Sequence, residues 1–440
     1  MTKIDFIGGN TKRCLMAMAL PMIAAMFLNM MYNLVDSLWI GNLLGETAYA
    51  ALTNSTPIIL ILTSVAMGAT NGVSILLSQA VGAKDKKKTE CLISTSFCAS
   101  AAFSLLVTIL LETFLPGILK ALNTPAETYD LAYSYLSIYV LGYLAVYLYL
   151  YFTAVLRSFG NSVFQAAAML VSTILNAILD PVFIRFIGFH GAAIATLLSQ
   201  AICLLFMLIY LKKKKLFRFK ISAFDKNEVL PLLQKAIPSV IQQSIPAVST
   251  TFLTSLVSTY SVTAIAAYGV AGKLETILFY PAMALNMVLT TIIGQCVGGT
   301  RYDRAKDYLK CALRYGCGLL VILSVLIVGF SKQLSGLFIK SDDAAAIVGT
   351  YFLIVSIGYV LNTVTNCCLG ALNGMGKPSK SMLLMIFYYI VIRMPLACLF
   401  SYLGFGLNGI WTAVLLSHVA ASIAASMTVI MVPIVKEHAM

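Results

Sequence analysis

The chain has 440 residues, of which 60% are hydrophobic and only 11% are charged, with a mean hydropathy of +0.91. Soluble domains carry about 25% charged residues, so this composition excludes a soluble enzyme and predicts an integral membrane protein. The formal net charge of +13 comes mainly from Lys and Arg in short segments between apolar stretches. That distribution is typical of the positive-inside bias, and we therefore expect no nucleic-acid partner.

Apolar stretches long enough to cross a bilayer recur along the whole chain. A helix of about 20 apolar residues spans the hydrocarbon, and the first stretch is too long to be a signal peptide. The predicted spans are residues 15–41, 50–80, 91–115, 129–151, 163–184, 190–211, 236–258, 275–297, 311–331, 346–371, 381–402 and 409–433. The sequence therefore predicts an all-α polytopic membrane protein with twelve transmembrane helices.

The basic residues predict the orientation of these spans. With the N-terminus inside, few of the 30 Lys and Arg residues fall in or near the outside half, namely Lys120, Arg185, Lys273, Lys332, Lys340 and Arg393. The remainder lie on the inside, as the positive-inside rule requires. We therefore expect a multi-pass protein of the bacterial inner (plasma) membrane with both termini in the cytoplasm.

The two halves of the chain repeat one another at an offset of about 217 residues. LPMIAA (20–25) matches IPSVIQ (237–242), and GFHGAAIATLLS (188–199) matches GFGLNGIWTAVLLS (404–417). Paired positions include Pro21 with Pro238, Gln79 with Gln295, Gly82 with Gly298, Leu156 with Leu372 and Gly160 with Gly376. We predict two six-helix lobes, residues 1–211 and 231–440, joined by a basic cytoplasmic linker at 212–230. A pseudo-twofold axis along the membrane normal would relate them, with the substrate path between.

Sequence motifs of ATP-driven pumps and hydrolases are missing from the chain. GxxxxGK[ST], HExxH and GxSxG do not occur, and GMGKPSK (374–380) has the wrong spacing for a phosphate-binding loop. The sequence therefore predicts a protein that is not an enzyme.

Two aspartates lie well inside predicted spans. A carboxylate at bilayer depth costs at least ~2.5 kcal/mol and is rare unless it faces the interior and carries function. Of 17 acids, only Asp36 and Asp180 lie this deep. Glu112, Asp130 and Glu275 fall near the outer ends of spans, where we expect them to reach the interface. On this count the C-terminal half has no acid deep in a span.

Oxygen-bearing residues accompany the two aspartates at a similar depth. Tyr32 and Asn176 each precede an aspartate by four residues and share its helix face. Thr196 reaches the same depth from the next span, at about 1.5 Å of rise per residue. Asp36, Asn176, Asp180 and Thr196 then form a pocket for a shared proton or for Na⁺, which prefers oxygen ligands. The alternative is that each aspartate only pins a neighbouring helix through hydrogen bonds.

Other polar and aromatic residues are candidates for contact with a substrate. Arg393 lies inside span 11 and pairs either with backbone carbonyls or with substrate. Methionine thioethers and aromatic faces suit varied, apolar cations, although lipid contact and packing explain most of them equally well. The candidate substrate-cavity residues are Tyr32, Tyr139, Gln242, Gln243 and Arg393.

A series of short motifs follows in a fixed order along the chain. They are Pro21, Tyr32, Asp36 and Gly41 in span 1, then SQAVGA (78–83), LRSFGNS (156–162), NAILDPVFI (176–184), GAAIAT (191–196), GQCVGG (294–299), LGALNGMGKP (369–378) and RMPL (393–396). In this order and spacing they resemble the multidrug and toxic compound extrusion (MATE) family over nearly the whole chain.

The resemblance implies a twelve-helix antiporter that exports organic cations in exchange for H⁺ or Na⁺ by a rocker-switch change of access. Apart from that coupling ion we expect no cofactor, and we expect a monomer. The family's coupling site in the N-terminal lobe falls on Asp36, Asn176, Asp180 and Thr196. Some members also carry acids in spans 7 and 10, where this chain has Gln242, Gln243, Asn362, Asn366 and Asn373. This difference favours coupling in the N-terminal lobe alone.

Two other functions compete with the antiporter. A flippase for lipid-linked precursors would line its cavity with several cations, whereas this chain offers Arg393 and Arg157. A receptor or channel would have less use for a duplicated fold with buried acids in one half. The sequence leaves the coupling ion and the substrate open.

Overall fold

The computed structural model describes residues 4–121, 124–214, 223–336, 338 and 341–432. Within these ranges the chain is almost entirely helical and forms no strand. The prediction of an all-α polytopic membrane protein is therefore confirmed. Residues 215–222 of the predicted linker, and Lys340, lie outside the described residues.

The first half of the chain contains seven helices. They are α1 (Thr11–Leu44), α2 (Glu46–Gly82), α3 (Lys86–Ala121), α4 (Ala126–Leu141), α5 (Tyr143–Ser158), α6 (Ser162–Ile187) and α7 (Phe189–Lys214). Helices α4 and α5 are bent by 50° at Gly142, so the predicted span 129–151 is a broken helix. A Cβ atom at Gly142 would lie 2.3 Å from the Leu197 side chain, so a larger residue at the bend would force that side chain to move.

The second half repeats the pattern with helices of similar overall length. They are α8 (Val229–Ser258), preceded by a 3₁₀ turn at Lys226–Glu228, α9 (Val262–Gly298), α10 (Tyr302–Gly336), α11 (Asp342–Gly374), α12 (Pro378–Met385), α13 (Met394–Tyr402) and α14 (Gly406–Met431). Between α12 and α13 the helix widens to a π-helix over Ile386–Arg393. The predicted span 381–402 is thus continuous but irregular.

Matching helix ends appear at paired positions of the repeat. Gly160 follows α5 with φ of 82°, and its repeat partner Gly376 follows α11 with φ of 78°. This left-handed conformation ends helices and favours glycine because it has no Cβ atom. Asn161 then caps α6 by accepting a hydrogen bond from Phe164 N, whereas α12 begins with Pro378.

Each of the twelve predicted spans corresponds to a helix or a broken helix among the described residues. Ten helices are long and apolar enough to cross a membrane, and the bent pair α4–α5 makes an eleventh candidate. Helix α8 has 30 residues, which is long enough, but Gln242 and Gln243 make its sequence more polar. It corresponds to the predicted span 236–258.

The described residues divide into two compact units. The N-terminal unit comprises Leu20–Val81 and Asp85–Ala236, and the C-terminal unit comprises the residues up to Ala19, Gly82–Lys84 and the chain from Ile237 onward. Each has its own apolar core, one built around Tyr135, Tyr143 and their neighbours, the other around Trp411 and Tyr351. The proposed lobe limits at 211 and 231 stay a prediction.

Candidate functional site

Asp36 and Asp180 meet inside the N-terminal unit. Asp36 lies on α1 with 8% exposure, and Asp180 lies on α6 and is fully buried. The two carboxyl groups are close enough to influence each other electrostatically. Ionised carboxylates carry acceptors only and repel each other, so a proton or a cation bound beside them would stabilise the pair.

Asn176 contacts one of the two carboxylates, and Thr196 lies on α7, which packs against α6. Asn176 Nδ2 donates to Asp180 Oδ1 at 2.9 Å, a contact that follows from their spacing of four residues on α6. Thr196 lies on α7 and is 5% exposed. The four residues predicted for the coupling site therefore come from α1, α6 and α7 of one unit.

One polar oxygen of each of these four residues is buried without a hydrogen-bond partner among the described residues. The atoms are Asp36 Oδ1, Asn176 Oδ1, Asp180 Oδ2 and Thr196 Oγ1. Leaving a buried polar atom unsatisfied costs about 1–3 kcal/mol. A proton on a carboxylate, or a cation that takes oxygen ligands, would satisfy several of them at once.

Tyr32 joins α1 to α7 beside this group. Its hydroxyl lies 3.2 Å from Ser199 Oγ and donates to the Thr196 carbonyl oxygen at 3.5 Å. Ser199 Oγ donates to that same carbonyl at 2.9 Å. Sequence reasoning did not identify Ser199, although its place one helical turn after Thr196 was a usable signal.

The five candidate substrate-cavity residues are divided between the two units. Tyr32 and Tyr139 lie in the N-terminal unit, where Tyr139 is buried in the core. Gln242 and Gln243 lie on α8, and Gln242 is buried with no partner for its Oε1 in the described part of the chain. Their grouping into one cavity stays a prediction.

Arg393, at the end of the π-helix, is the buried cation of the C-terminal unit. Its Nε donates to Ser417 Oγ at 2.9 Å, and its Nη2 donates to Tyr388 Oη at 2.9 Å and to His418 Nε2 at 3.3 Å. The guanidinium also lies over the Tyr388 and Tyr389 rings, at 4.8 and 4.5 Å. We expected Arg393 to pair either with backbone carbonyls or with substrate. The hydrogen bonds described here are all to side chains and not to backbone carbonyls.

The contacts of Arg393 assign the tautomer of His418. A guanidinium can only donate, so His418 Nε2 accepts and the proton of a neutral ring sits on Nδ1. Nδ1 lies 2.5 Å from Tyr388 Oη, which accepts it. Gly358 makes room for this ring, because a Cβ atom there would lie 2.6 Å from His418 Cδ2.

Glu275 on α9 is held by two tyrosines of α11. We expected it to reach the membrane interface, and its Oε1 accepts hydrogen bonds from Tyr351 Oη at 2.6 Å and Tyr359 Oη at 2.9 Å. Both tyrosines lie on α11 and are fully buried. These hydroxyls supply donors to a carboxylate that is only half-buried, and its position relative to the membrane interface stays a prediction.

Comparison with known proteins identifies the family. The MatE family profile matches the chain twice, over residues 21–182 and 238–399. The chain therefore belongs to the MatE family, which confirms the resemblance drawn from the motifs. The two matches begin at Pro21 and Pro238, the first pair of the internal repeat, so the family pattern describes one repeat and this chain carries it twice.

Several curated relatives match over almost their full length. "Probable multidrug resistance protein YpnP" of Bacillus subtilis is 30% identical over 97% of this chain and 96% of that protein. "Multidrug export protein MepA" of Staphylococcus aureus is 25% identical over 95% and 93%. A protein of Shewanella oneidensis named "FAD transporter" is 26% identical over 94% and 93%.

Solved structures share the fold at lower identity. An outward-facing multidrug resistance MATE family transporter of the MOP superfamily superposes with a TM-score of 0.93, at 23% identity and 98% coverage of both chains. A mutant of the Vibrio cholerae MATE transporter VcmN gives 0.90, at 20% identity and 96% and 97% coverage. These similarities show that the protein has the fold of MATE transporters.

Proposed function

We propose that this protein is a secondary active antiporter that exports organic cations and other toxic compounds from a bacterial cell in exchange for H⁺ or Na⁺. The observation that carries the proposal is the buried group of unsatisfied oxygens on Asp36, Asn176, Asp180 and Thr196. The names of YpnP and MepA support a multidrug substrate range. The protein would lie in the plasma membrane with both termini in the cytoplasm.

Ion exchange at the aspartates would drive the transport cycle. When a proton or Na⁺ enters, it neutralises charge between the two carboxylates, and when it leaves, their mutual repulsion returns. Asp36 is on α1, which contains Pro21 in its interior. A proline removes one helix hydrogen bond and weakens the helix at that point. Ion binding would therefore bend α1 near Pro21, disfavour bound drug and support alternating access.

Transport in proteoliposomes tests the role of the pair. We expect Asp36→Asn and Asp180→Asn each to reduce gradient-driven export of a fluorescent cation to the level of protein-free liposomes, because an amide cannot exchange a proton or neutralise Na⁺. Asp130→Asn is the matched control, since it makes the same substitution at an exposed acid of α4. Retained gradient-driven export in both site variants, with the protein correctly folded, would refute the proposal.

The same assay identifies the coupling ion when one gradient is imposed at a time. A pH gradient alone should drive export if the aspartates exchange a proton, and a Na⁺ gradient alone should do so if they bind Na⁺. Export that ignores both gradients would exclude a secondary antiporter coupled to either ion. It would favour the channel or receptor alternative.

A second candidate substrate class carries an anionic group. It is favoured by the relative named "FAD transporter" and by Arg393, whose Nη1 takes part in none of the three hydrogen bonds described above. Arg393→Gln should reduce export of an anionic dye much more than export of a cationic dye. Equal effects on both dyes would assign Arg393 a structural role.

A further inference from the structure

A basic groove of about 460 Å³ lies in the C-terminal unit where the first turn of α1 faces α10. Its lining side chains include four cations, one carboxylate and one aromatic ring, namely Lys12, Arg304, Lys310, Arg314, Asp307 and Tyr315. The groove therefore carries an excess of positive charge, and none of these residues belongs to the candidate coupling site.

Neighbouring groups hold two of the cations in place. Arg304 donates to the Gly9 carbonyl oxygen and, at 2.8 Å, to Thr11 Oγ1. Lys12 Nζ lies 4.9 Å from the centre of the Tyr315 ring. Side chains fixed in this way lose little conformational freedom when a ligand binds.

The cations of the groove have unused capacity for an anion. The ion pairs found among the described residues are Lys88 with Glu228 and Arg301 with Asp303, and neither involves a lining residue of the groove. Arg304 Nε is buried and has no acceptor within the described part of the protein. Arginine and lysine in such a pocket are suited to a phosphate group.

An exposed apolar strip continues from the groove along α10. Gly318, Ile322 and Val325 follow Arg314 on one helix face at spacings of four, four and three residues. The Ile322 and Val325 side chains are 61% and 66% exposed. A Cβ atom at Gly318 would meet no atom within 4 Å, so the surface is open directly beside the groove.

We propose that this groove binds the phosphate of an anionic phospholipid, with an acyl chain lying along Gly318, Ile322 and Val325. Basic pockets between membrane helices recognise such headgroups. The apolar strip distinguishes this ligand from a free phosphate ion, which would use the groove alone. The assignment does not depend on the transport function.

Lipid binding to the purified protein tests the proposal. The protein in phosphatidylcholine nanodiscs should gain thermal stability when phosphatidylglycerol is added, because a ligand that binds only the folded state stabilises it. Lys310→Gln with Arg314→Gln should weaken binding roughly thirtyfold, at about 1 kcal/mol per basic residue. Lys86→Gln with Lys87→Gln removes the same charge from the exposed start of α3 and should leave binding unchanged.

A second pair of variants identifies the source of the phosphate. Gly318→Leu blocks the strip without changing charge and should weaken phosphatidylglycerol binding, whereas Gly269→Leu, at another exposed helix glycine with open space around it, should not. Inorganic phosphate should stabilise far less than the lipid. Equal stabilisation by inorganic phosphate, no effect of Gly318→Leu, or unchanged binding in the charge variant would each overturn the proposal.

Discussion

Ser199 and Ser417 occupy paired positions of the internal repeat but form hydrogen bonds in different polar surroundings. Both end the LLS motif that the repeat places on α7 and α14. Ser199 Oγ lies near the Tyr32 hydroxyl beside the two aspartates, whereas Ser417 Oγ accepts a hydrogen bond from Arg393. A hydroxyl can donate or accept, so the same serine fits an acidic cluster in one unit and a basic cluster in the other.

Gly358 provides a test of the basic cluster at the scale of a single residue. Gly358→Ala would place a methyl group against the His418 ring, which is held on both nitrogens and cannot easily move. We expect a loss of about 1–3 kcal/mol of stability, as in overpacked cores, measured as a lower thermal unfolding midpoint in detergent. Gly272→Ala on α9 has open space and should be neutral or stabilising. A midpoint for Gly358→Ala that is not below that of the native protein would contradict this account.

At the scale of whole helices, regular contacts were predictable from the sequence and irregular ones were not. The Asn176–Asp180 bond follows from helical spacing alone. The π-helix at Ile386–Arg393 carries no local signal in a continuous apolar stretch, yet it brings Tyr388 and Arg393 into contact. The tyrosine partners of Glu275 were not predictable either, because they lie 76 and 84 residues further along the chain.

The link between α9 and α11 through Glu275 can be measured with three substitutions. Tyr351→Phe with Tyr359→Phe removes both donors and leaves a carboxylate without its partners. Each lost hydrogen bond to a charged group should cost about 1.5–3 kcal/mol. Adding Glu275→Gln to this background should recover part of the stability, because the charge that needs the donors is gone. Additive losses in denaturant unfolding would show that the tyrosines do not act through Glu275.

At the scale of the whole molecule, the two units share a sequence pattern but differ in their ionisable groups. The family profile matches each half once, and paired glycines end corresponding helices. The N-terminal unit buries two carboxylates, whereas the C-terminal unit buries one arginine and holds a half-buried carboxylate between two tyrosines. Duplication therefore preserved the helical scaffold while the interior polar residues diverged, which allows the halves to take different roles in transport.

The predicted orientation of the whole chain can be tested by thiol labelling in intact cells. Asp343→Cys lies at the exposed start of α11, on the predicted outer side, and Lys87→Cys lies at the exposed start of α3, on the predicted inner side. A membrane-impermeant maleimide should label Asp343→Cys directly but Lys87→Cys only after permeabilisation, with the native chain as the baseline for its ten cysteines. The inverse pattern would place the Lys-rich segments outside, against the positive-inside rule. Between the two sites lie α3 to α10, which form seven spans when α4 and α5 count as one broken span. An odd number of spans places the two sites on opposite sides of the membrane. Labelling of both sites before permeabilisation would therefore contradict this count.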